Sequence, residues 1–283
     1  MRYLFFYVLF AFLVILIVFP MYWTFTLSIK NHRDITSAVP KFVFQPTAAN
    51  YRGLFTGETG TTSLPASKPN FPRYFLNGVI ISGGATLLAM LVGMPAAYIL
   101  TRTHFKKEST RENLAFTLLS FWFGPEMAIT LPLYRIYQRV GLLDTYLGLI
   151  LVYQLISIPF VVWMSRSYFL DIPVSIEEAS LVDGANRFQT FARVVLPLAK
   201  GGLAVTALLT FIFCWNSFVF ALVVGGERTM PVTTGSLGFI RYEAVLWGQM
   251  SAAIIVSAIP AIVLALLLQK HIIRGLTFGS VKG

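Results

Sequence analysis

Five stretches of this sequence lack Asp, Glu, Lys and Arg for long enough to cross a lipid bilayer: Tyr3 to Ile29, Tyr74 to Thr101, Thr145 to Ser165, Gly201 to Gly226 and Ala244 to Gln269. About 30 Å of hydrocarbon takes roughly 20 helical residues. A sixth stretch, Leu114 to Tyr134, is interrupted only by Glu126. Lipid offers no partners to open backbone groups, and continuous apolar runs do not fit the alternating strands of a barrel, so the expected fold is all-α. The sequence predicts one transmembrane domain over 1–283, with spans at about 3–29, 74–101, 114–134, 145–165, 201–226 and 244–269. Pro20, Pro95, Pro125, Pro132, Pro159 and Pro260 lie in or beside these spans, so kinks are expected in some of them.

Composition agrees with that reading. Of 283 residues, 56% are hydrophobic and 12% charged, and the mean hydropathy is +0.72, which leaves too little polar surface for a water-soluble domain. The formal charge of +10 sits mostly between apolar runs, where it is expected to meet lipid headgroups and not nucleic acid. The run from Tyr3 is too long for a signal-peptide core, and it is expected to remain as a span. Six spans put both termini on one side, and the basic group Arg102, Lys106, Lys107 and Arg111 favours the cytoplasm for that side, although the two sides carry basic residues 12 to 10. The lone Cys214 excludes an intramolecular disulfide and is read as packing. His32, His104 and His271 are scattered in loops, without metal-ligand spacing.

Two loops stand out. Residues 30–73 form a Pro- and Gly-broken extracytoplasmic loop, long enough to fold over the span ends, in which 56–69 reads as a Thr/Gly/Ser-rich insertion with a mobile tip. Residues 166–200 form a polar stretch with helical signals. Ser175 and Glu178 have capping-box spacing, Gly184 fits a helix stop, and Pro197 is expected to end a second helix. The outcome is a short helix at about 176–183, a turn, and a helix at about 187–196. Ile176, Ala179 and Val182 recur at helical spacing, giving an apolar edge flanked by Glu177, Glu178 and Asp183.

Glu178-Ala179-Ser180, Gly184, Val194, Leu196 and Pro197 resemble the signature of binding-protein-dependent ABC permeases: Glu-Ala-Ala, three residues, Gly, nine residues, a branched apolar residue, one residue, Leu-Pro. Ser180 stands where the pattern has a second alanine. The ending RGLTFGSVKG resembles that of maltose-type carbohydrate permeases, with Phe278 in place of a small residue. Phe75-Leu76-Asn77, Leu131 to Tyr134, Gly141 to Thr145 and Trp215-Asn216 are similar to the same family, and Ser217 replaces its usual acidic residue.

The resemblance implies that 166–200 is a cytoplasmic coupling loop, with Glu177, Glu178, Ala179, Ser180, Asp183, Gly184, Leu196 and Pro197 serving a partner ATPase, and that Lys282 lies near the same ATPase. It further implies a second related permease subunit, two ATPase subunits carrying ATP and Mg, and an extracytoplasmic solute-binding protein. The expected location is the bacterial inner membrane. No phosphate-binding glycine loop is present, so the chain is expected to be a transport subunit and not an enzyme, with no cofactor of its own. A carbohydrate needs polar side chains along its route, which marks Asn77, Glu126, Asn216 and Trp215 as path residues. Other solutes (polyols, glycerol phosphates or peptides) fit the loop equally. A secondary transporter would need internal repeats and ion sites, and neither is evident.

Overall fold

The computed structural model describes residues 2–57, 70–103, 108–240 and 245–278. In chain order the helices are α1 Arg2–Ser28, α2 His32–Ile35, α3 Ala49–Thr56, α4 Phe71–Arg102, α5 Glu108–Ser120, α6 Glu126–Val140, α7 Tyr146–Leu170, α8 Val174–Val182, α9 Arg187–Thr190, α10 Leu196–Asn216, α11 Val219–Val224, α12 Val232–Gly235 and α13 Trp247–Phe278. Among the described residues no strand forms beyond one isolated bridge, Ile240 to Val245. The fold class is all-α. Five helical stretches are long and apolar enough to cross a membrane, or six if the bent pair α5 and α6 counts as one span.

Within the span expected at 114–134, where Pro125 is among the prolines marked for kinks, the helix is bent sharply. A 3-10 turn at Phe121–Phe123 ends the first half, Gly124 is extended, and α6 leaves at 83°. The cause is Pro125, which lacks an N–H and disfavours helical geometry in the residue before it. The span expected at 201–226 also differs: α10 ends at Asn216, Ser217 is extended, and α11 follows separately. Here the Asn216 amide turns back to the carbonyl of Ile212 at 2.8 Å, a local bond of the kind that competes with helix continuation.

Two compact units are distinguishable, residues 1–76 with 234–259 and residues 77–233 with 260–283. In the first, the turn after α1 is tied to α3. Asn50 donates to the carbonyls of Ser28 and Lys30 at 2.9 and 2.8 Å, and the Ser28 and Tyr51 hydroxyls share a bond of 2.8 Å. Lys30 is buried, with its ammonium 4.5 Å from the Trp23 ring centre and 4.8 Å from that of Phe44. Desolvation lowers its pKa, opposed by nearby Asp34. The aromatic faces offer a desolvated cation the partial compensation that water would otherwise give. Residues 58–69, most of the stretch read as an insertion, lie outside the described residues.

In the second unit α4 and α7 pack closely. Ala85, Ala89 and Ala97 are fully buried on α4, and Gly84 and Gly93 face Ile150 and Val161 of α7. Lipid gives no hydrophobic drive between helices, so close approach through small residues supplies the contact. One apolar cluster gathers around Tyr98, Phe169, Phe191 and Leu203; another gathers around Ile81, Tyr153, Cys214 and Phe220. Cys214 lies 3.2 Å from the Ser157 hydroxyl.

A Cβ at Gly93 would lie 2.6 Å from Val161 Cγ1, whereas one at Gly83 meets nothing within 4 Å. Overpacking typically costs about 1–3 kcal/mol. Gly93→Ala is therefore expected to lower the unfolding midpoint of the purified protein in detergent, and Gly83→Ala to leave it unchanged or raised, as followed by thermal scanning.

Candidate functional site

The loop between α7 and α10 is a helix-turn-helix. Pro173 occupies the N-cap position of α8 with extended geometry, so the helix begins at Val174, earlier than expected. Ser175 thereby falls inside the first turn, and the expected Ser175–Glu178 capping box does not form; no side chain caps α8. A capping box does form at α9: Asn186 Oδ1 accepts from the Gln189 N–H at 2.8 Å, and Gln189 Oε1 accepts from the Asn186 N–H at 2.9 Å.

At the other end of α8, Gly184 has φ +91°. Its N–H donates to the Leu181 carbonyl, and the Ala185 N–H donates to that of Ser180, the paired bonds that close a helix through a left-handed glycine. Ser180 also meets the Thr190 hydroxyl at 3.0 Å, tying α8 to α9. The residue that departs from the Glu-Ala-Ala pattern is thus used in a specific bond.

Pro197 does not end the second helix, contrary to expectation. The backbone passes from α9 through a π-helical turn at Phe191–Val195 into α10, with Leu196 and Pro197 in the first turn. Proline would clash with the carbonyl four residues before it in a regular helix, and a widened turn relieves that crowding. Leu196 packs against the Tyr98, Phe169 and Phe191 cluster.

Glu177 corrects the reading of an acidic rim. It points inward and is 2% exposed. Its Oε1 accepts from Arg102 Nε at 2.7 Å and pairs with Nη2 at 2.6 Å, and its Oε2 accepts from the Tyr98 hydroxyl at 2.7 Å. Arg102 Nη2 also donates to the carbonyls of Phe169 and Ile172 at 2.9 and 3.0 Å, at the end of α7. A neighbouring ion pair joins Glu112 of α5 to the buried Arg166 of α7.

Glu178, Ala179 and Asp183 are exposed. With them, the loop presents Ile176, Val182 and Phe188, the last two 87% and 76% exposed. A cleft of about 430 Å³ beside α8 is lined by Arg102, Arg111, Glu177, Glu178, Leu181 and Arg187 among others. Among the described residues, no group of His, Cys, Asp and Glu is arranged to hold a metal.

The expected path residues separate. Asn77 is a strut: its amide nitrogen donates to the carbonyls of Arg228 and Met230, its oxygen accepts from the Tyr146 hydroxyl, and it is 1% exposed. Trp215 is buried and stacks on Phe211 at 5.7 Å. Glu126 is half-buried in the first turn of α6, beside the break in the third span, and Asn216 is exposed at the end of α10. Lys282 lies outside the described residues. Three functional features had little sequence signal. The inward turn of Glu177 is hidden by its twin Glu178, the Asn186–Gln189 box competes with the same spacing at Ser175–Glu178, and the Arg102 junction brings together residues distant in sequence.

These features define a polytopic α-helical membrane protein with a helix-turn-helix between two of its spans. The family described as "Binding-protein-dependent transport system inner membrane component" matches residues 87–278. The trehalose/maltose transport system permease protein MalG of Thermococcus litoralis is 31% identical, over 96% of this chain and 94% of its own length. The trehalose transport system permease protein SugB of Mycobacterium tuberculosis is 33% identical, over 93% and 92%. A probable ABC transporter permease protein of Sinorhizobium fredii, y4oR, is 33% identical over 93% and 90%. Among solved structures, a chain of a bacterial ABC transporter that imports the acidic polysaccharide alginate superposes with TM-score 0.74 at 22% identity, covering 94% of each chain. The chain belongs to the binding-protein-dependent inner-membrane permease family and is a permease subunit of an ABC importer.

Loss of a side-chain N-cap costs about 1 kcal/mol. Asn186→Ala is expected to speed amide hydrogen exchange over residues 187–190 by roughly fivefold, a rate ratio that corresponds to about 1 kcal/mol, while α7 exchange stays unchanged; mass spectrometry of the purified protein reads both.

Proposed function

We propose that this chain is one half of a heterodimeric sugar importer, in which α8 and the turn at Gly184 dock on a cytoplasmic ATPase and pass its nucleotide-driven closure to the spans. The observation that carries this reading is a doubly capped elbow presenting Val182 and Phe188 to solvent. Exposed large apolar side chains on a rigid element suit a groove on a protein partner. In this reading both termini and residues 166–200 face the cytoplasm, and the loop around α2 and α3 faces an external solute-binding protein. ATP and Mg reside on the partner ATPases, and this chain binds no cofactor.

The carbohydrate assignment is supported by relatives named for trehalose, maltose and diacetylchitobiose uptake, and by a fold neighbour solved with an alginate pentasaccharide-bound periplasmic protein. Glu126 and Asn216 remain the residues proposed for the path. Glu126 also sits in the first turn of α6, where a helix N-terminus favours a carboxylate.

Val182→Asp and Gly184→Pro are expected to abolish co-purification of the ATPase, or sugar uptake, while membrane insertion stays normal. Normal uptake and a normal complement of ATPase in both variants would refute the docking role. Uptake of labelled trehalose and maltose in cells, with mass spectrometry of the ligand on any co-purified binding protein, tests the solute class. Glu126→Gln is expected to depress uptake without loss of assembly.

A further inference from the structure

We infer that Glu177, Arg102 and Tyr98 form a clasp that carries displacement of α8 into the end of α4, making Glu177 a positioning residue for coupling and not a docking contact. This rests on the docking role proposed above for α8. The chain itself links α8 directly only to α7 and, through the Gly184 turn, to α9 and α10. It offers no short route to α4, since Arg102 lies 75 residues before Glu177. The connection is made through space by one guanidinium. Arg102 ends α4, holds Glu177 of α8, and donates to the last carbonyls of α7. The opposite oxygen of Glu177 is held by Tyr98, one turn earlier on α4.

Both side chains are largely shielded, 11% exposed for Arg102 and 3% for Glu177. Separating them would leave a charge buried without its partner, which is strongly unfavourable, so α8 does not slide freely past α4. Beneath the clasp the Tyr98 ring lies 4.8 Å from that of Phe191, and Phe169 packs edge-on to both. The ends of α4, α7 and the π-turn leading to α10 thus share one aromatic floor under one ionic lock. A push on α8 is delivered to three spans together.

Glu177→Gln keeps volume and an oxygen for Arg102 but removes the charge that pairs with it and turns an N–H₂ toward the Tyr98 hydroxyl; Tyr98→Phe removes one hydrogen bond and keeps the ring. The test compares hydrogen exchange in the whole transporter, reconstituted in lipid nanodiscs, with and without Mg-ATP and vanadate. In the native complex, nucleotide is expected to change exchange in residues 174–182 and 97–102. In both Glu177→Gln and Tyr98→Phe the change at 174–182 persists and that at 97–102 is reduced. A merely structural role would alter exchange equally in both nucleotide states, and an unchanged nucleotide-dependent difference at 97–102 would overturn the clasp. If Glu177→Gln does not assemble, Tyr98→Phe decides by the same reading. Absence of ATPase from the native complex would overturn the docking role itself, whereas a preserved α4 response with the ATPase present overturns only the clasp.

Discussion

Hydrocarbon offers no hydrogen bonds, and the architecture follows from that refusal. The spans meet most of their backbone groups within helices, and α4 and α7 approach each other through alanine and glycine because lipid gives them no other strong reason to associate. Where polar side chains enter, they are mostly committed. Asn77 is satisfied at both ends of its amide, Gln154 donates to the Ala85 and Ile150 carbonyls, and Ser157 meets Cys214. The same scarcity gives weight to the ionic junction at Arg102, which concentrates the polar attachments of α8 to α4 in one shielded place.

The spans were legible because insertion into lipid is a matter of composition, which a sequence displays directly. Their interruptions were less so. Gly124-Pro125 signals a break, but the apolar run continues across it, and periodicity alone reads through the bend. The end of α10 at Asn216 is similar: the residues after it remain apolar, while the backbone turns away. In the loop, glycine at position 184 announced its left-handed geometry, since few other residues take it without strain. Ser175 misled, because its spacing to Glu178 is right while Pro173 starts the helix too early for the hydroxyl to cap it.

The site residues divide along the same line. Exposure of Val182 follows from an apolar edge on a short helix, and was readable. Glu177 and Glu178 are chemically identical neighbours, and only the packed structure shows that one turns inward to a cation on another span. Asn77 presents the mirror problem. An amide in a span looks alike in sequence whether it lines a passage or ties down a loop, and here its partners lie about 150 positions away, at 228 and 230.

The widened turn at Phe191–Val195 fixes the length of the chain between the elbow and the spans. Each helical residue advances the winding by about 100°, so removal of a single one there would swing α9, and the whole elbow with it, around to a different side of α10. Ser180 and Thr190 would travel together, but Glu177 would part from Arg102 and Val182 would face elsewhere. Replacement of side chains in this short segment is a matter of degree, but its residue count behaves as the tooth count of a gear.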